Sequence, residues 1–246
     1  QVSLDSCCLV VNGGDVYDRL RRRSSELGMP VRVRQVGCMG LCRHGPSVRV
    51  TDGQTETAYV GLDPSESDDL LHRHFKAPRL LDRMTYNARR GLDRLLGDGD
   101  DHDIAPHRIT SVDPGIDAFE RSQTRIATEH YGRLDPVDLD EYIAHGGFEA
   151  LRRCRKATGE AVIDTVAKSG LRGRGGAGYP TALKWRTVRE AEGQTRYVVC
   201  NGDEGDPGAF MDRMLLESFP YRVLEGIAIA AHAVGAARAF IYVRAE

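Results

Sequence analysis

Two short apolar runs constrain this chain of 246 residues more than any other feature. Arg196-Tyr-Val-Val-Cys200 and Ala239-Phe-Ile-Tyr-Val243 each read as a strand. Between them lie a loop at 201–208 and helical patterning through residue 234. Strand, helix and apolar strand in that order imply a parallel pair joined by a right-handed crossover. Two parallel strands cannot bury their own faces. The expectation is an α/β fold with a Rossmann-like parallel sheet that continues beyond residue 246. Upstream, helices are expected at 135–142, 148–154, 161–169 and 181–191, with a glycine-rich loop at 170–178.

The chain organises into three stretches. Residues 1–76 form a first unit, with an exposed helix at 16–27, a strictly alternating strand at 31–36, a short strand at 47–50 and a helix at 68–75. Residues 77–129 read as a linker, because the acidic, glycine-rich run 97–103 cannot bury a core. A calcium loop there lacks the Glu that must follow a central Gly at fixed spacing. Residues 130–246 form the second unit.

Charge and hydropathy narrow the function classes. Lys+Arg is 34 against Asp+Glu 36, so no bulk positive field exists to hold a nucleic acid. The most apolar stretch, 226–243, is interrupted by His232, Gly235 and Arg238, which predicts a buried helix and then a strand rather than a membrane span. Residues 1–5 carry neither basic nor apolar leader character, and the expected location is the cytoplasm. Six cysteines are too few for a disulfide scaffold. Four of them, Cys7, Cys8, Cys38 and Cys42, cluster near the start, which favours a metal role.

Cys38 and Cys42 lie in Gly37-Cys-Met-Gly-Leu-Cys42-Arg-His-Gly-Pro46. Two thiolates on one tight loop, with glycines that turn amides toward sulfur, suit iron–sulfur ligation. Zinc is the rival, but two cysteines do not close a tetrahedral site. The run resembles the second half of the motif of thioredoxin-like [2Fe–2S] ferredoxins. That family's first half is Cys-x4-Cys, and here Cys8 pairs by spacing with Ser3, and Cys7 with Val2. The resemblance implies a thioredoxin-like first unit with Cys8, Cys38 and Cys42 as ligands, His44 being a possible substitute. The missing cysteine leaves open whether a cluster or only the fold is kept.

The longest signal is Ser169-Gly-Leu-Arg-Gly173-Arg174-Gly175-Gly176-Ala-Gly178-Tyr179-Pro180-Thr-Ala-Leu-Lys184-Trp185. Glycines 173, 175 and 178 fit G-x-G-x-x-G, but the segment before them reads as helix, which excludes the simple dinucleotide fingerprint. What remains is a run of exposed amides, a helix N-terminus and the cations Arg174 and Lys184, a cradle for a phosphorylated cofactor. A flexible linker would not carry Arg, Tyr, Pro, Lys and Trp at this density. The second signal, Asn201-Gly-Asp203-Glu204-Gly-Asp206-Pro-Gly208, leaves the carboxyl end of a parallel strand, where open α/β sheets bind ligands. Its carboxylates suit sugar hydroxyls and ring N–H groups. Metal binding by Asp203, Glu204 and Asp206 is the rival reading.

Together the two loops resemble the NADH-oxidising flavoprotein subunit of respiratory complex I, and its relatives in NAD-reducing hydrogenases and NAD-dependent formate dehydrogenases. The likeness runs from about residue 131 to 246. It implies that Gly173, Arg174, Gly175 and Gly176 wrap FMN and that Lys184 contacts it. It implies that Asn201, Asp203 and Glu204 hydrogen-bond the flavin and its ribityl chain. Tyr179 would stack on NADH where the family usually has Phe, and Asp206 would stand where many members have Glu. Trp185, Cys154 and Cys200 are left as packing residues. The family's [4Fe–4S] ligands would fall beyond residue 246. The implied activity is electron transfer between NADH and iron–sulfur clusters through FMN, beside other redox subunits. The alternative is a cofactor-poor docking subunit of such a complex.

Overall fold

The computed structural model describes residues 1–39, 45–53, 55–82, 84–88, 122–193, 195–206 and 208–244. They divide into two units, Gln1–Asp135 and Pro136–Glu246. The acidic run 97–103, Cys42 and His44 lie outside the described residues.

The first unit is built on a four-stranded sheet of order β2-β1-β3-β4. Its elements are β1 (Val2–Ser3), α1 (Ser6–Val10), α2 (Gly13–Glu26), β2 (Gln35–Val36), β3 (Ser47–Asp52), β4 (Thr55–Val60) and α3 (Ser67–His74). β1 runs parallel to β2 and antiparallel to β3, and β3 with β4 forms a hairpin. The amphipathic face of α2 places Val16 and Leu20 in a core with Val2, Val48, Tyr59, Leu62 and Leu70. Bidentate contacts from Arg23 to Asp68, at 2.8 and 3.0 Å, tie α2 to α3. The strand expected over 31–36 shortens to Gln35–Val36. The alternation is real, since Val31 and Val33 pack on the core. However, β1 has only Val2 and Ser3 to pair with β2.

The core of this unit reaches Ala77. Residues just before the division also belong to it. The Gly37 amide donates to the Leu134 carbonyl at 3.3 Å, and Gln35 donates to Asp135 at 3.0 Å.

The second unit follows its sequence pattern closely. It contains α4 (Leu139–Ala144), α5 (Glu149–Cys154), α6 (Gly159–Ser169), α7 (Thr181–Glu190), β5 (Tyr197–Gly202), α8 (Met211–Ser218), α9 (Pro220–Val234) and β6 (Arg238–Val243). β5 and β6 pair in parallel, Tyr197 beside Arg238 through Gly202 beside Val243. Thr158 caps α6 by accepting from the Ala161 amide at 3.2 Å, and Gly170 ends it at φ +68°. α6 buries Val162 and Ile163 against Ala182 of α7 and Ala233 of α9, with Cys154 and Trp185 packed alongside. The apolar stretch 226–243 is the end of α9, a left-handed Gly235 and then β6. Among the described residues no helix is long and apolar enough to cross a membrane.

One buried carboxylate organises the start of this unit. Glu225 of α9 accepts from the Tyr142 hydroxyl at 2.6 Å and from the amides of Phe148 and Leu151 at 2.9 and 3.0 Å. It thereby caps α5, whose N-cap residue Phe148 has no side-chain cap of its own. Burial works to raise the Glu225 carboxyl, but the Tyr142, Leu151 and Phe148 donors outweigh it and hold it below its ordinary value. Burial, and then the bond to Glu225, push the Tyr142 hydroxyl up to about 12.

Candidate functional site

The glycine loop links α6 to α7 and is closed at its neck. Arg172 and Pro180 form an antiparallel bridge, the Gly173 amide donates to the Tyr179 carbonyl at 2.8 Å, and Thr181 donates to the Leu171 carbonyl at 3.0 Å. The Arg172 guanidinium also donates to the Gly178 carbonyl at 2.8 Å. Because the neck satisfies itself, residues 174–178 project as a loop of open backbone. Gly176 sits at φ +101° and Gly178 at φ +60°, conformations that L side chains rarely adopt. A Cβ added at Gly175, Gly176 or Gly178 would meet nothing within 4 Å. The space above these glycines is therefore free for a ligand to approach the backbone.

α7 carries the loop's cationic partner. Lys184 is exposed one turn into the helix, and Tyr179 is 47% exposed at the loop's end. α7 is fixed from behind. Arg186 donates to Glu160 at 3.0 Å and to Asp164 at 2.7 Å on α6, and Arg189 donates to the Ala233 carbonyl of α9 at 2.8 Å. Pro180, at the N-cap, offers no side-chain acceptor to the first amides of α7. The loop thus presents amides, Arg174 and Lys184 to solvent on a rigid mount.

The acidic loop leaves β5 as expected, and its residues divide into two kinds. Asn201 accepts from the Asp203 amide at 3.0 Å, which folds the loop back at once. Glu204 turns inward. Its two carboxylate oxygens accept from the Asp212 and Arg213 amides at 3.0 and 3.1 Å, capping α8. Asp203 and Asp206 stay exposed. Gly202 allows close packing here, since a Cβ would come within 2.8 Å of Leu216. Among the described residues no hydrogen bond joins the two loops, and no trio of His, Cys, Asp or Glu is arranged to hold a metal. The metal reading of Asp203, Glu204 and Asp206 therefore gains no support.

Two participants escaped the sequence reading. Arg172, which the sequence reading left without a role, clamps the neck. Glu204 looked like a ligand group, yet it anchors a helix that begins several residues later, outside the spacing of ordinary capping motifs. Cys200 is half-buried, and burial raises its thiol, in line with a packing role.

Chemically, the donor set fits FMN. Free amides with Arg174 and Lys184 suit a phosphate, and exposed Asn201 and Asp203 supply acceptors for ring and hydroxyl donors. In the first unit, Cys8 and Cys38 are both buried at 3% exposure. Burial raises the Cys8 thiol, opposed by the Ser3 hydroxyl and the Ser47 amide. Cys38 lies 3.6 Å from the Tyr131 hydroxyl.

The comparisons agree with the loops. The family model described as the Nuo51 FMN-binding domain matches residues 166–246. The chain is 49% identical over 127 residues to NADP-reducing hydrogenase subunit HndC of Solidesulfovibrio fructosivorans, covering 52% of this chain and 26% of that protein. It is 46% identical over 109 residues to the NADH-quinone oxidoreductase F 2 subunit of Rhizobium meliloti (strain 1021), covering 44% and 26%. It is 50% identical over 96 residues to NAD-reducing hydrogenase HoxS subunit alpha of Cupriavidus necator, covering 39% and 16%. The chain spans about a quarter or less of the length of these curated relatives. The matched family stretch contains the glycine loop, α7, the acidic loop and both strands of the second unit.

Proposed function

We propose that the second unit holds FMN and passes electrons between NADH and iron–sulfur centres of a larger redox assembly. The observation that carries this reading is the glycine loop. Its neck is hydrogen-bonded shut, while Gly175, Gly176 and Gly178 face open space beside Arg174 and Lys184. In this reading the amides of Gly175 and Gly176 face the cofactor phosphate, Gly173 wraps it from the neck that its own amide closes on the Tyr179 carbonyl, and Arg174 and Lys184 balance the charge. Asn201 and Asp203 accept from the flavin and ribityl donors. Glu204 keeps that loop in register by holding the start of α8. The Tyr179 ring offers a flat face to the nicotinamide, and Asp206 an acceptor to its nucleotide. When bound, FMN supplies the exchange of a hydride for single electrons. The residues bind, orient and neutralise, and none is assigned a proton transfer.

For the first unit we propose a thioredoxin-like fold. The support is its sheet order β2-β1-β3-β4, with β1 parallel to β2 and antiparallel to β3, and a helix after the β3–β4 hairpin. The assembly and its other redox subunits are inferred from the relatives' names, all subunits of hydrogenases or quinone oxidoreductases.

Anaerobic addition of NADH to the FMN-loaded chain tests the activity. The expected result is loss of the oxidised flavin absorbance band. An unchanged band, with FMN demonstrably bound and NADH in excess, would overturn the assignment of electron transfer to this chain.

A further inference from the structure

The residues at the end of β1 do not fit the cluster that a thioredoxin-like ferredoxin unit would hold. A [2Fe–2S] cluster takes four protein ligands, thiolates or a mixture of thiolates and imidazoles. Cys8 and Cys38 are buried in the described structure, and the sequence pairs Cys38 with Cys42, which lies outside it. By the Cys-x4-Cys spacing the fourth place falls on Ser3, and Cys7 is exposed.

Ser3 is fully buried, at 0% exposure, and its hydroxyl is already engaged. It donates to an Asp5 carboxylate oxygen at 3.3 Å or to the Gly37 carbonyl at 3.2 Å. Both acceptors compete for its one hydroxyl proton, so Ser3 is held as a neutral donor. Ligation of iron would require its alkoxide, which would face the Asp5 carboxylate and the Gly37 carbonyl with no proton between them. Asp5 cannot withdraw freely. It is the N-cap of α1, its other oxygen accepts from the Cys8 amide at 2.9 Å, and it is 8% exposed. The same network therefore fixes Ser3, Asp5 and the backbone of Cys8 together.

We propose that this network replaces the cluster: the first unit is a cluster-free unit whose Ser3–Asp5–Cys8 turn is a closed polar core, and a thiol at position 3 restores iron–sulfur binding. The idea is independent of the FMN reading, since every residue it uses lies in the first unit.

The test is anaerobic reconstitution of the full chain with ferrous iron and sulfide, for the wild type, Ser3→Cys, and Ser3→Cys combined with Cys8→Ala. Iron, acid-labile sulfide and the low-temperature EPR spectrum after dithionite reduction are read for each. The wild type is expected to retain no cluster after desalting. Ser3→Cys is expected to take up two irons and two sulfides with a [2Fe–2S] signal, and the double variant to lose them. A wild-type chain that retains a [2Fe–2S] cluster overturns the proposal by itself, whether or not the variants fold. A folded Ser3→Cys chain that stays iron-free overturns the role given to Ser3.

Discussion

The turn after β1 and the loop after β5 are built alike and end differently. Each leaves the carboxyl end of a strand with a parallel partner, and each uses a carboxylate to hold amides of a following helix. Asp5 holds the Cys8 amide of α1, and Glu204 holds the Asp212 and Arg213 amides of α8. In the first turn Ser3, Asp5 and Cys8 are all buried. In the second only Glu204 turns inward, and Asn201, Asp203 and Asp206 remain exposed. The same helix-anchoring device therefore produces a sealed core in one place and an open ligand edge in the other. What separates them is whether the neighbouring polar groups satisfy each other or are left for a ligand.

This contrast can be broken at its anchors and at its open edge. The largest effect is expected from Asp5→Ala, which strands the buried Cys8 amide and leaves the Ser3 hydroxyl only the Gly37 carbonyl. A loss of about 3 kcal/mol is expected in denaturant unfolding of the first unit, with FMN affinity of the second unit unchanged. Lys184→Ala removes an exposed cation and should leave unfolding alone. Loss of one charge-assisted bond, about 2 kcal/mol, should weaken FMN binding roughly 30-fold by flavin fluorescence titration. Glu204→Ala should cost about 1 kcal/mol of stability, and it should lower FMN affinity less than Lys184→Ala does. If Glu204 instead contacts FMN directly, the order of the two affinity losses reverses. Tyr179→Ala should weaken NADH by about 1 kcal/mol, several-fold, while FMN affinity holds. Equal NADH affinity in variant and parent would remove Tyr179 from the nicotinamide face.

The smallest expected effect is a pH dependence confined to the second unit. Glu225 is held below its ordinary value in the folded state, so its contribution is present above about pH 4.3 and is lost as pH falls through the folded value. Tyr142 is raised to about 12, so its contribution is full below about pH 10 and is lost as pH rises toward 12. Melting curves of Glu225→Gln and the parent between pH 3 and 7, on the order of a unit apart, check the acid limb. The variant's curve should depend less on pH.

Much of this arrangement was legible in the residues. The parallel pair followed from Arg196–Cys200 and Ala239–Val243, and the helices at 148–154 and 181–191 lie within a residue of where periodicity puts them. The open loop followed from its glycines, since their backbone freedom is a property of the residue itself. What was not legible depends on partners distant in sequence. Glu225 caps a helix that begins far upstream, and no local pattern marks an acidic residue in an apolar helix as a cap. β4 (Thr55–Val60) shows no clean alternation because its first half is exposed. Ser3 could be seen as a missing cysteine, but its engagement with Asp5 and Gly37 needed the fold.

The central claim is that the open edge of the second unit holds FMN. A flavin fluorescence titration of the chain, repeated with Gly176→Ala, tests it most directly. Gly176 faces empty space at φ +101°, so the substitution disturbs the loop's backbone and no packing contact. The account predicts saturable binding of one FMN per chain and at least a tenfold loss in the variant, about 1.4 kcal/mol. A folded chain that binds no FMN, or binds it equally with Ala at position 176, would contradict it.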